Sequence, residues 1–149
     1  MASDTTTGER SPAQLYALVV GGALTLAGIL GFFYNSSFAT GDGLPRDAVL
    51  GLLDVNGWHN IVHLATGALG LAALGSYAAS RSYALGLGLV YLLVTILGFI
   101  VGDGGELLNL IPINTEDNIL HLLLAIAGLG AYAATPAARA PSTTTTATA

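Results

Sequence analysis

The sequence predicts an all-α fold: a bundle of four transmembrane helices made of two tandem two-helix repeats, related by a pseudo-two-fold axis along the membrane normal. Three observations predict this fold. The 149-residue chain is 53% hydrophobic and 9% charged, with a mean hydropathy of +0.70, so it is far more apolar than an ordinary soluble domain. Four apolar runs approach the length of a membrane span, and the second half of the chain repeats the first.

The four apolar runs define the predicted membrane domain. A transmembrane helix needs about 20 mostly apolar residues to match a hydrocarbon core about 30 Å thick. The runs cover approximately residues 15–34, 59–79, 83–101 and 117–134, within one domain at 15–134. The flanking segments, 1–14 and 135–149, are rich in Thr, Ser and Ala and are predicted to be disordered, because they cannot bury apolar area.

The four arginines predict the orientation of the chain. With four crossings, Arg10, Arg81 and Arg139 fall on one side of the membrane and Arg46 falls on the other. Because cytoplasmic loops carry the excess of basic residues, both termini are predicted to be cytoplasmic. The protein is expected to be a multi-pass protein of the cell membrane, surrounded by lipid.

Composition also excludes several functions. The formal net charge is −5 and the sequence contains no cysteine. The absence of a basic patch excludes nucleic-acid binding, and the absence of cysteine excludes thiolate metal sites and thiol nucleophiles. No catalytic triad, phosphate-binding loop or cofactor fingerprint is present, so the sequence predicts a protein that is not an enzyme.

The internal duplication organises the chain. A shift of 67 positions places residues 16–32 on 83–99 with nine identities in 17 positions, and a shift of 58 places 51–74 on 109–132 with nine identities in 24. Each unit contains two helices, so both copies enter the membrane in the same orientation. Helices 2 and 4 are then equivalent, and their matched residues lie at equal depth.

Two outer segments precede helices 2 and 4. Residues 47–56 and 105–114 are too short to span a membrane, and we expect each to be an amphipathic piece at the outer interface. Each segment ends in an asparagine, Asn56 or Asn114, whose side-chain oxygen is expected to cap the N-terminus of the following helix.

A polar constellation at the outer ends of helices 2 and 4 is the candidate functional site. His63 and His121 are matched by the duplication, and four residues before them stand His59 and Asp117. Residues four apart share a helix face, so these groups can form a cluster that suits zinc or another divalent transition metal. Haem is not expected, because no attachment motif is present and each copy offers one deep histidine. No cofactor is predicted beyond this candidate metal.

The same constellation has a structural interpretation, which the sequence favours. Small residues below His63 and His121 let helix backbones approach closely. The histidines would then hydrogen-bond with Asn60 and Asn118 in a polar layer between helices 2 and 4, together with the asparagines at 56 and 114. This interpretation predicts a non-enzymatic protein that assembles with itself or with a partner membrane protein. The alternative is a metal- or small-ligand site that serves transport or redox chemistry.

Three motifs carry a resemblance to a known family. Asn56-Gly-Trp-His-Asn-Ile-Val-His-Leu, Asn114-Thr-Glu-Asp-Asn-Ile-Leu-His-Leu and Ile96-Leu-Gly-Phe resemble the signatures of a prokaryotic membrane family known as domain of unknown function 4383. The resemblance covers roughly residues 15–134. It implies a four-helix multi-pass membrane protein and supplies no reaction. The family-like residues here are Asn56, His59, Asn60, His63, Asn114, Asp117, Asn118 and His121.

Overall fold

The computed structural model describes residues 9–137 and is mostly helical, with four helices and two β-hairpins in the described part. The order of elements is α1 (Pro12–Tyr34), β1 (Asp47–Val49), β2 (Leu53–Val55), α2 (Gly57–Ala73), α3 (Tyr77–Val101), β3 (Glu106–Leu107), β4 (Ile111–Pro112) and α4 (Thr115–Ala133). The predicted number and order of helices are confirmed. Residues 1–8 and 138–149, most of the two predicted tails, lie outside the described residues.

The two outer segments, predicted to be short amphipathic pieces, are β-hairpins. β1 pairs antiparallel with β2, and β3 pairs in the same way with β4. The turn residues Leu50 and Gly51, and their matches Leu108 and Asn109, all have φ between 54° and 71°. Three residues connect the paired strand ends in each hairpin, since Val49 pairs with Leu53 and Leu107 with Ile111, and left-handed residues are common in such short hairpin turns. The all-α prediction therefore holds for the four helices and is wrong for these segments.

Capping residues move several helix boundaries away from the predicted ones. The Ser11 hydroxyl accepts a hydrogen bond from the backbone N–H of Gln14, so α1 begins at Pro12. Ser76 caps α3 in the same way, so α3 begins at Tyr77 and α2 ends at Ala73. Apolar content does not reveal this break, because the sequence stays rich in alanine and leucine on both sides of it.

Helices pack most closely within each repeat unit, as α1 with α2 and α3 with α4. A Cβ added to Gly28 of α1 would lie 2.7 Å from the backbone oxygen of Asn60 and 2.8 Å from the backbone nitrogen of Leu64. Gly67 of α2 packs in turn against the backbone of Thr25. The small-residue seams therefore join helices within a unit, whereas α2 and α4 are not a closely packed pair.

The helix ends lie in two groups, one at each end of the bundle. The start of α1, the α2–α3 connection and the end of α4 lie together: Thr135 Oγ1 accepts from the Ala13 N–H at 2.9 Å, and Arg81 Nε donates to the Thr135 carbonyl at 2.7 Å. Thr135 is fully buried, so assigning it to a disordered tail was wrong. Both hairpins lie at the opposite end of the bundle, which we call the hairpin end.

Apolar and polar side chains have an unusual distribution. Large apolar residues on all four helices are exposed, including Phe33, Leu69, Ile100 and Ile126. By length and composition, α1 and α3 are each able to cross a membrane. Near the hairpin end the bundle instead buries polar groups, which are Asn35, Asn56, His59, Asn60, His63, Asp117, Asn118 and His121.

Candidate metal centre: a three-histidine cluster

His59, His63 and His121 converge near the hairpin end. The ligand nitrogens of the three side chains all lie within 4.8 Å of one another. The ring centroids of His59 and His63 are 4.3 Å apart, and those of His59 and His121 are 6.1 Å apart. All three side chains are buried, with 3%, 8% and 4% of their surface exposed. Histidines from α2 and α4 therefore meet at one point.

Helix capping sets the depth and direction of these histidines. Asn56 Oδ1 accepts from the backbone N–H of His59 at 2.9 Å, and Asn114 Oδ1 accepts from that of Asp117 at 2.8 Å. Both predicted N-caps are confirmed. Because the caps fix where each helix begins, His63 and His121 each stand in the second turn and face the interior.

A backbone carbonyl orients His59. Its Nδ1 lies 2.8 Å from the Asp54 carbonyl oxygen. A carbonyl oxygen can only accept, so Nδ1 carries the proton and Nε2 keeps its lone pair. Metal-binding histidines commonly donate their other ring N–H to a backbone carbonyl in this way.

His121 carries an unused polar atom. Its ring stacks on Tyr91, with centroids 5.0 Å apart and planes inclined by 24°. Its Nδ1 is buried and has no hydrogen-bond partner within residues 9–137. Buried polar atoms nearly always have a partner; in the described part of the chain the other buried side-chain atoms without one are Asn60 Oδ1 and Asn118 Oδ1.

Asp117 does not join the histidines, which corrects the predicted four-group cluster. Its Oδ2 accepts from the backbone N–H of Asp54 at 3.0 Å. Since the Asp54 carbonyl accepts from His59, the two repeat-matched residues, His59 and Asp117, hold the Asp54 backbone from opposite sides. Asp117 thus contacts the same backbone segment that orients His59.

The donor set fits a first-row transition metal. Imidazole nitrogen suits zinc, copper, iron and nickel. Metal–nitrogen bonds of about 2.0–2.1 Å place two ligand nitrogens about 3.4 Å apart in a tetrahedral site, so the separations here would need to contract through small side-chain rotations. Three histidines also leave an open coordination position, as in sites that bind a further ligand.

The asparagines at positions 60 and 118 have a different environment. Asn60 Nδ2 donates to the Asn35 carbonyl at 2.8 Å, and Asn60 Oδ1 lies against Gly31, where a Cβ would overlap it. Asn118 Oδ1 lies in the same way against Gly98. These asparagines face the first helix of their own unit, so their predicted pairing with the histidines between helices 2 and 4 is wrong.

The two units are joined instead through the hairpins. Asn56 Nδ2 donates to the Leu110 carbonyl at 2.6 Å, and its match Asn114 donates to the Leu52 carbonyl at 2.7 Å. The two acceptors are also matched by the duplication, so the contacts are reciprocal.

An ion-pair group also joins the hairpins and was not predicted from the sequence. Arg46 lies 3.4 Å from Asp54 and 3.6 Å from Glu106. Arg46 thus links the first hairpin to the second beside the cluster. The sequence feature that could have predicted these ion pairs is that Arg46 is the single arginine in outer segments that contain many carboxylates.

Comparison with known proteins agrees with the motifs. The family described as domain of unknown function DUF4383 matches residues 14–134. The chain belongs to this family. The match contains both hairpins and all three histidines of the cluster. No curated protein and no solved structure matches the chain.

Proposed function

We propose that this DUF4383 protein is a four-span membrane protein that binds a first-row transition-metal ion at the three-histidine cluster. One observation carries the proposal: three buried histidines converge within 4.8 Å, and one buried ring nitrogen among them has no partner in the described chain.

Exposure and length support four spans. At about 1.5 Å per residue, the 17 residues of α2 and the 19 of α4 extend close to the thickness of a hydrocarbon core, and the hairpins lie beyond them. Their exposed residues include Ile61 and Leu69 on α2, and Leu123 and Ile126 on α4. Such a surface is suited to lipid rather than to water.

The reciprocal hairpin contacts support the pseudo-two-fold arrangement of the repeats. Asn56 reaches the second hairpin at the position where Asn114 reaches the first. An axis along the membrane normal would pass between these contacts and close to His63 and His121. The metal would then lie near the axis, with ligands from both copies.

Single-cysteine labelling tests the topology, because the natural chain has no cysteine. Asp42→Cys lies in the exposed α1–β1 loop, and Gly75→Cys lies in the exposed α2–α3 connection. With cytoplasmic termini, a membrane-impermeant maleimide should label the first variant on intact cells and the second only after permeabilisation. Any other labelling pattern would contradict the proposed topology.

Metal analysis tests the site. The cluster uses every histidine of the chain, so the protein must be purified with a tag that contains no histidine. We expect the wild type to bind about one zinc or copper ion per chain, and the variant with His59, His63 and His121 all replaced by Ala to bind none. A wild type that binds no metal on titration, or a triple variant that still binds it, would overturn the proposal.

A structural role remains the proposal for the asparagines. Asn60 and Asn118 join α2 to α1 and α4 to α3 through close contacts with glycine. Assembly with a second copy or a partner membrane protein stays a prediction from the sequence. Its test is the mass of the protein in detergent: a strictly monomeric species would refute self-assembly.

A further inference from the structure

Two apolar clefts lead from the sides of the bundle to the histidine cluster. The first opens between α2 and α3, has a volume of about 70 Å³, and is lined by His59, His63 and His121 at its inner end. The second opens between α1 and α4, has a volume of about 110 Å³, and reaches His63 and His121 from the other side. Both clefts therefore end at the same two histidines.

The clefts are related by the duplication. Each residue that lines the second cleft corresponds to a residue that lines the first, by the same shifts of 67 and 58 positions. On α1 and α3, Val20 corresponds to Leu87, Ala23 corresponds to Val90, and Ala27 corresponds to Val94. The cleft therefore recurs with the repeated unit.

The clefts open sideways rather than towards the hairpin end. At the rim of the first cleft, Val62 is 45% exposed and Val90 is 53% exposed. The hairpins close the other direction, because Leu107 and Ile111 line the first cleft and Leu53 lines the second. In a four-span protein these rims face hydrocarbon, so a ligand would enter from the bilayer.

The walls of the clefts restrict which ligands can enter. Apart from the histidines and the hydroxyl groups of Thr66 and Tyr91, the lining side chains are apolar. Ions and strongly polar molecules would lose their hydration without new partners. The first cleft, at about 70 Å³, lies well below the roughly 300 Å³ of a typical site for a larger ligand, and small apolar cavities readily take up apolar atoms and molecules. The second cleft shares Ala23, Ala27, Leu53 and His63 with a wider apolar cavity of about 270 Å³ between α1 and the first hairpin.

We propose that the clefts deliver a small, uncharged diatomic gas of the dioxygen, carbon monoxide and nitric oxide class from the bilayer to the metal held by the histidines. This proposal rests on the proposed metal site. Such molecules dissolve in hydrocarbon, fit the clefts, and can bond to a metal at its open coordination position. The two clefts provide independent routes to one metal ion.

Carbon monoxide rebinding to the copper(I)-loaded protein tests the proposal. The protein is placed in lipid nanodiscs, bound carbon monoxide is released by a light pulse, and rebinding is followed by infrared absorption. Val90→Trp blocks the first cleft and Ala23→Trp blocks the second. The matched controls, Leu93→Trp on α3 and Val19→Trp on α1, are strongly exposed positions that line neither cleft.

We expect each single block to lower the rebinding rate roughly twofold and the double block to lower it about tenfold or more, while copper content and the control variants stay unchanged. Absence of carbon monoxide binding to copper-loaded wild type, or equal rates in the double block and its controls, would overturn this proposal alone. A wild type that takes up no copper or other metal would overturn the metal site and this proposal together. If a tryptophan variant does not fold, phenylalanine at the same position provides the block.

Discussion

The asparagines and the histidines of the buried polar layer look alike in sequence and differ in what they face. Both sets recur at matched positions near the starts of α2 and α4. Asn60 and Asn118 contact glycines on the first helix of their own unit, whereas His63 and His121 face the space between units. In the proposed arrangement, side chains that face inside a unit stabilise that unit, and side chains that face the proposed axis form a site that neither unit has alone.

The largest expected effect comes from replacing one of the histidines that face the space between the units. His121→Ala removes one of three ligands, so we expect it to lower metal affinity by more than the roughly 10- to 100-fold that loss of an outer hydrogen-bond partner causes. His63→Ala should lower the affinity similarly. Competition with a metal indicator measures the loss, and Asn118→Ala is the matched control that should retain metal. Affinity equal to wild type in His121→Ala would place the metal elsewhere.

The next largest effect comes from disturbing the contacts that Asn60 and Asn118 make with glycines of their own unit. Gly31→Ala and Gly98→Ala each place a Cβ where an asparagine oxygen lies, and overpacking of this kind typically costs about 1–3 kcal/mol of unfolding free energy. Gly22→Ala is the control, because a Cβ there meets nothing within 4 Å. Unfolding in detergent measures the difference. Equal stability of Gly31→Ala and Gly22→Ala would show that the asparagine contact does not hold the pair together.

The smallest expected effect tests a position near the starts of α2 and α4 where the two units differ. Asp117 stands where the first copy has His59, and it acts on that histidine through the Asp54 backbone. We expect Asp117→Ala to weaken metal binding about tenfold. The adjacent exposed residue provides the control, Glu116→Ala, which should bind metal like wild type. A Glu116 effect as large as that of Asp117 would indicate general electrostatics rather than positioning of His59.

Some of this arrangement follows directly from sequence, and the reasons for the misses are physical. The four helices follow from apolar content, and the caps at Asn56 and Asn114 follow from residue chemistry. The hairpins were missed because their turns use Leu50 and Leu108 in a left-handed conformation, which bulky residues seldom adopt. The asparagine contacts were missed because shared helix faces do not show which neighbouring helix a face meets; that depended on the glycines at 31 and 98.

X-ray absorption of the zinc- or copper-loaded protein tests most directly whether the axis-facing residues form a metal site. We expect three imidazole nitrogens at about 2.0 Å from the metal, with the imidazole signal lost in the variant that has all three histidines replaced. A coordination shell with fewer than three imidazoles in the wild type would contradict the three-histidine centre.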